Sequence, residues 1–240
     1  MEALLKELHK AGVHSIKSNH SIILETMETE LQHALEIDAL IITLINKVDE
    51  QTHNTVRLQC PLKLLHKMSS VREHMTIEGE RVIYLRSLAD AIAIPDLSFE
   101  VWPVTGRRSI AFLAETMQSS YQDANEFLAQ MREELPVQAD HMFTVYFVKD
   151  EPAGVVFPHI EPYTEREGRM FWIGMYPKFK GKGLGKNLHQ IGLYRLQKEF
   201  AARTYLGSTT KDNFAMRSIM ASNGCKEKMT VISLNYSKNT

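Results

Sequence analysis

Three glycines and four lysines crowd the stretch Lys178-Phe179-Lys180-Gly181-Lys182-Gly183-Leu184-Gly185-Lys186. Ahead of it, Arg169 to Met175 carries Met, Phe, Trp and Ile among few polar residues and reads as a strand. Behind it, Leu184 to Phe200 reads as a helix. A strand, a glycine-rich turn and a helix N-terminus together make a receptacle for an anion. Glycine lets the backbone approach closely and tolerates positive φ. The unpaired amides of a first helical turn point outward, and the helix dipole favours negative charge there by about 0.3–1 kcal/mol. With lysines around the same spot, the expected guest is a phosphate or pyrophosphate.

Two common phosphate loops do not fit. A Walker loop requires Gly, four residues, Gly-Lys and then Ser or Thr. From Gly181 the spacing to Gly185-Lys186 is one residue short, and Asn187 stands where the hydroxyl belongs. The dinucleotide fingerprint G-x-G-x-x-G fails at Lys186 counted from Gly181 and at Leu188 counted from Gly183.

Lys180-Gly181-Lys182-Gly183-Leu184-Gly185 resembles the Gln/Arg-x-x-Gly-x-Gly/Ala loop of the GNAT superfamily of N-acetyltransferases, with lysine at the Gln/Arg position. Ile173-Gly174-Met175-Tyr176-Pro177 is similar to that family's strand end and proline turn. Downstream, Asn213-Phe214-Ala215-Met216 through Asn223-Gly224-Cys225 resembles its Asn-x-x-Ala/Met helix. Locally, Asp212 is expected to cap that helix, Met216, Ile219 and Met220 to share a face, and Asn223-Gly224 to end it in a left-handed turn.

The resemblance implies acetyl-coenzyme A, or another acyl-coenzyme A, as acyl donor. It implies that backbone amides from Gly181 to Lys186 (Gly181, Lys182, Gly183, Leu184, Gly185, Lys186) hold the diphosphate, with Lys180 beside them. The backbone at Ile173, Gly174 and Met175 would pair with the pantetheine arm, the Met175 amide polarising the thioester carbonyl. Asn213 would contact the pantetheine or phosphate side. The acyl group would pass directly to a bound amine, proximity supplying much of the acceleration.

An amine nucleophile must first lose a proton. For a lysine-like pKa near ~10.4 this costs about 4.6 kcal/mol at pH 7. Here the chain departs from the family pattern: the tyrosine expected seven residues after Asn213 is Met220, and expected carboxylate positions fall at Ser208 and Arg169. Glu161, Glu165 and Glu167 lie in or beside the next loop, with His159 before them. A solvated acidic loop is the plainer reading of these carboxylates, and a structural role that of His159. Glu161 and Glu167 are the catalytic candidates. Tyr236, Trp102, Trp172 and Cys225 read as packing residues. With no Gly-x-Ser-x-Gly elbow, no zinc-spaced His/Cys set and no HExxH, neither hydrolase nor metal chemistry is expected. A non-catalytic module that binds acyl-coenzyme A and signals through the N-terminal region is the alternative reading, motivated by Met220.

These residues need elements to hold them. At 240 residues the chain makes one large or two small domains with an ample core. It is 44% hydrophobic and 24% charged with a formal net charge of -1, which argues against a general nucleic-acid binder. Cys60 and Cys225 stand alone, as suits a reducing cytosol. There is no apolar signal core near Glu2, Lys6 and Glu7, and the longest largely apolar run, Ala39 to Ile45, is too short to span a bilayer. A soluble cytoplasmic protein is expected, acting on a small amine in preference to a protein, with no nucleic-acid or membrane partner and a homodimer as the one self-association kept open.

The expected fold is α/β (α+β): a GNAT-type mixed, splayed sheet flanked by helices over 97–240, with a smaller α/β domain over 1–96. Within 1–96, Ile23, Met27, Leu31 and Ala34 predict a helix from Ser21 to Leu35. Ala39–Ile45 and Thr55–Leu58 are expected as strands, paired as a hairpin across a turn-like Asp49–Asn54. Pro61 should open a short helix, and Arg81–Leu85 another strand. Ile94-Pro95-Asp96-Leu97 marks the boundary. From Phe99 the order expected is strand, two helices, two strands, the strand before the glycine loop, helix, short strand, helix and a final strand over Met229–Tyr236.

Overall fold

The computed structural model describes residues 1–17, 21–27, 32–49, 55–93 and 97–237. In chain order the elements are α1 (Glu2–Lys10), β1 (His14–Lys17), β2 (Ser21–Glu25), α2 (Ala34–Asp49), β3 (Thr55–Pro61), α3 (Leu62–Leu65), α4 (Ser69–His74) and β4 (Thr76–Ser87). There follow β5 (Phe99–Val101), α5 (Arg107–Met117), α6 (Tyr121–Glu134), β6 (Thr144–Val148) and β7 (Glu151–Ile160). After these come β8 (Glu167–Met175), α7 (Gly185–Lys198), β9 (Thr204–Thr210), α8 (Phe214–Ser222) and β10 (Lys226–Ser237). Mixed strands flanked by helices give the expected α/β class.

Two compact units emerge: Met1–Ile83 with Ser208–Asp212 and Lys228–Thr240, and Tyr84–Gly207 with Asn213–Glu227. This differs from a single cut between 96 and 97. The first unit recruits the last strand, because β3 pairs along its whole length with β10, from Pro61 opposite Val231 to Thr55 opposite Ser237. Ile94-Pro95-Asp96, on which the expected cut rested, lie outside the described residues.

In the first unit the strand order is β1-β2-β3-β10-β4. Two expectations fail here. Ser21–Glu25 is a strand, not the start of a helix, because Ile22 and Leu24 alternate inward against α1 and α2 while β1 and β3 take up its backbone groups. Leu31, part of the helical spacing, lies outside the described residues. Ala39–Ile45, expected as a strand, is the middle of α2, whose buried Ile37, Ile41, Leu44, Ile45 and Val48 recur at helical spacing. The anticipated hairpin is therefore replaced by a β2–α2–β3 crossover with β2 and β3 parallel. Asp38 on α2 is buried, and its carboxylate accepts the N–H groups of Ser70 (3.1 Å) and Val71 (2.8 Å), capping α4.

In the second unit β9-β8-β7-β6-β5 lie side by side. β5 to β8 are antiparallel and β8 is parallel to β9 through α7. Helix α6 starts with a capping box in which Ser120 and Asp123 satisfy each other's backbone amides. Helices α5 and α6 bury Phe112, Leu113 and Leu128 with Phe143, just ahead of β6, and Phe157 of β7. α7 buries Leu188 and Ile191 with Val156.

Candidate functional site

β8 is the element that makes a site possible, because it is regular at neither edge. Against β7, Ile173 faces Val156 but Met170 faces Pro158, so Phe171 and Trp172 together oppose the single residue Phe157. That extra residue is a β-bulge, a device that re-aims side chains and backbone. Against β9, pairing covers Glu167 with Thr204 and Gly168 with Tyr205. Among the described residues it stops there, although β8 continues to Met175 and β9 through Gly207. Tyr176 donates its N–H to the Ala153 carbonyl at 2.9 Å, toward β7. Since backbone groups alternate direction along a strand, the N–H groups of Ile173 and Met175 turn to the opened side.

Beyond β8 the chain turns through Pro177–Phe179, pinned by the buried Phe179 ring. Gly181 and Gly183 then take φ of +75° and +74°, where a side chain would be strained although nothing crowds the space. α7 begins at Gly185 with no side-chain cap. Asn187 and Leu188 both donate to the Leu184 carbonyl, at 3.1 and 3.2 Å. Among the described residues the N–H groups of 181–186 make no hydrogen bond within the protein. Consecutive free donors at a helix start form an anion nest. Of the four lysines, Lys178 pairs with Glu151, while Lys182 lies over the Phe179 ring at 5.4 Å.

A cavity of about 480 Å³ connects these features. Ile173, Gly174, Met175, Lys180, Gly185 and Asn213 line it, all six of them expected as cofactor-binding residues. Gly181, Lys182, Gly183, Leu184 and Lys186 form the loop and turn beside these wall residues and are not themselves on the wall. Asn213 caps α8: its Oδ1 accepts the Met216 N–H at 3.1 Å, the task expected of Asp212. Sequence reasoning missed Thr116 and Met117, at the end of α5, and took Trp172 for packing alone. Trp172 does pack on Phe127 and Phe157, but it also walls the cavity. Its indole lies across Gly174, where a Cβ would fall 2.2 Å from the ring, which is why that position has no side chain.

Glu161 and Glu167 are not on the cavity wall. They share Arg169, whose Nε lies 2.7 Å from Glu167 and 3.6 Å from Glu161. Glu161 also meets His159 Nε2 at 3.3 Å, and both of these residues are buried. Burial pushes the nearby Glu134 carboxyl up, with the Glu161 charge adding to the shift. From Met175 to Arg169 is six residues, roughly 20 Å along an extended strand. Met220 is buried against Tyr205. Burial raises the thiols of Cys60 to about 12 and Cys225 to about 11, so neither is a nucleophile at neutral pH. Trp102 packs on Phe112 and Phe143. Among the described residues no group of three His, Cys, Asp or Glu could hold a metal ion, and no helix is long and apolar enough to cross a membrane.

No family model matches the chain, and no curated protein matches it. Solved structures do. A GCN5-related N-acetyltransferase from Sphaerobacter thermophilus superposes with a TM-score of 0.62 at 11% identity, over 94% of this chain and 75% of that one. A tandem GNAT protein from the clavulanic acid biosynthesis pathway gives 0.61 at 13% identity, over 92% and 76%. A GCN5-related N-acetyltransferase from Kribbella flavida gives 0.58 at 11% identity, over 99% and 94%. At such identities the likeness is one of fold: the chain has the fold of the GNAT acetyltransferases.

Proposed function

We propose that the protein is an acyl-coenzyme A-dependent N-acyltransferase that transfers an acetyl group to the amine of a small acceptor. The row of free peptide donors at 181–186, set at the mouth of an opened parallel strand pair, carries this reading. An acyl-coenzyme A has a diphosphate, an extended arm bearing amides and a thioester. The chain offers matching features in the same order: a donor nest beside Lys180, an outward-facing strand edge at Ile173 and Met175, and a cavity wall at Trp172. The nest would hold the diphosphate through backbone amides, which accept any oxyanion geometry that the glycines can follow. The edge of β8 would bind the arm as an added strand binds, with Asn213 on the facing wall.

When bound, the cosubstrate supplies an activated acyl carbonyl. The Met175 N–H, directed to the opening, donates to the oxygen on which charge develops. Trp172, Thr116 and Met117 exclude water and align the acceptor. Glu167 lies eight residues along β8 from Met175, roughly 26 Å in an extended strand, too far to take the acceptor's proton directly. Its proposed role is to receive that proton through a chain of waters, with Glu161 and Arg169 fixing its position. The cytosol is the proposed location, in keeping with two free, buried cysteines.

Titration calorimetry with acetyl-coenzyme A, followed by thiol release across a panel of small amines, tests the proposal. Binding with amine-dependent thiol release is expected; absence of binding at millimolar cosubstrate overturns it. Binding without turnover favours the non-catalytic module, a reading that Met220 and the ion-paired Glu161 support.

A further inference from the structure

Helix α7 presents its first amides, at Gly185 and Lys186, without a partner among the described residues, and this raises a mechanical problem. A Ser, Thr, Asp or Asn at the N-cap steadies a helix start by accepting one of those same N–H groups. Leu184, at that position, cannot accept one with its side chain. The turn is therefore held by something that leaves its donors alone.

Asn223 supplies that hold. The Asn223-Gly224 pair was expected to end α8 in a left-handed turn, but only Gly224 is left-handed, at φ +74°. Asn223 keeps φ -97°, and its side chain is buried. Its Nδ2 reaches the Lys186 carbonyl at 2.9 Å and His189 Nδ1 at 2.9 Å. An amide nitrogen only donates, so His189 Nδ1 accepts and the ring proton sits on Nε2, which donates to the Tyr205 hydroxyl at 3.1 Å. Behind Asn223, Arg86 donates to its main-chain carbonyl, holding the backbone from which the side chain extends. Burial, with the Arg86 charge, drives the His189 pKa down to about 3, so the ring stays neutral and keeps this donor order.

We infer that Asn223 is a positioning residue for the anion nest: by gripping the Lys186 carbonyl and His189, it sets the first turn of α7 without spending an N–H group. The inference rests on the acyl-coenzyme A reading of the cavity and names the part of that ligand it serves. The clasp acts on the diphosphate turn and not on the edge of β8, so its loss weakens ligands that carry a diphosphate and spares those that lack one.

The test compares acetyl-coenzyme A, inorganic pyrophosphate and S-acetylpantetheine by calorimetry on the full chain. Asn223→Asp keeps the shape but cannot donate; Asn223→Ala removes the group. Both variants are expected to bind acetyl-coenzyme A and pyrophosphate at least tenfold more weakly, with S-acetylpantetheine within twofold of wild type. Equal weakening of all three marks general structural damage and overturns the inference, as does no change. A wild type that binds none of the three overturns the acyl-coenzyme A reading itself, a result separate from any variant. Long-range 1H–15N correlation of labelled histidine gives a readout free of ligand. Wild-type His189 should be the Nε2–H form, and Asn223→Asp should move the proton to Nδ1; an Nδ1–H wild type overturns the clasp.

Discussion

Among the described residues, Gly168 and Tyr205 are the last at which β8 and β9 pair, and the opening that begins there separates the paired part of β8 from an unpaired edge. In the first unit, β2 and β3 are also parallel and joined by a helix, yet they pair over five positions from Ser21–Thr55 to Glu25–Gln59. The same connection thus leaves no exposed edge in one unit and a long one in the other. Polar backbone groups left unpaired inside a protein are costly, so an opening of this kind needs a ligand or water to satisfy it.

Gly183→Ala should show what the left-handed turn is worth. The residue has φ +74° and open space around it, so the cost is conformational, about 1–2 kcal/mol. We expect a small drop in unfolding midpoint and a several-fold loss of acetyl-coenzyme A affinity. Gly183→Asp adds a charge and should abolish binding in calorimetry while circular dichroism stays native.

Lys180 and Lys178 should behave differently although both are exposed. Lys180 lines the cavity, whereas Lys178 is paired with Glu151. Lys180→Ala is expected to weaken acetyl-coenzyme A binding a few-fold, more at low ionic strength, where screening is least. Lys178→Ala should leave the affinity unchanged at every salt concentration.

Stability should fall with acid through His189. Its folded pKa, about 3, lies below the unfolded 6.5, so between those values only the unfolded chain takes up the proton. The stabilising share is complete above pH 6.5 and is lost as pH falls toward 3, at about 1.4 kcal/mol per unit. Denaturant unfolding of His189→Gln should therefore lose about 2 kcal/mol less than wild type between pH 7 and pH 5.

Glu167→Gln and Glu161→Gln separate chemistry from architecture. If Glu167 receives the acceptor's proton, Glu167→Gln lowers kcat at least tenfold and leaves the cosubstrate KM unchanged. Glu161 is buried beside His159 and Arg169, so Glu161→Gln should chiefly lower the unfolding midpoint. Unchanged kcat in Glu167→Gln, with wild-type turnover established, removes it from the mechanism.

Both cysteines should be silent in the native protein. With thiols raised to about 12 and 11, Cys60 and Cys225 are expected to react with a disulfide reagent at pH 8 only after denaturant is added.

Local chemistry by itself determined the glycine loop. Glycine at 181 and 183 is dictated by backbone angles, and Pro177 by a turn, so neighbours in sequence carry the whole signal. The helical stop at Gly224 is of the same kind. Tertiary structure decided the rest. The run Ala39–Ile45 is apolar enough for strand or helix, and only the cores of its neighbours selected the helix. Nothing near Phe171 and Trp172 in the chain announces a bulge, because a bulge is a property of two strands and exists only once β7 supplies one residue opposite those two. Asn223 reads as a helix stop until α7 is packed beside it, since 37 positions separate it from the Lys186 carbonyl. Hydrogen bonds between residues that distant are made by folding, and no spacing rule along one chain encodes them.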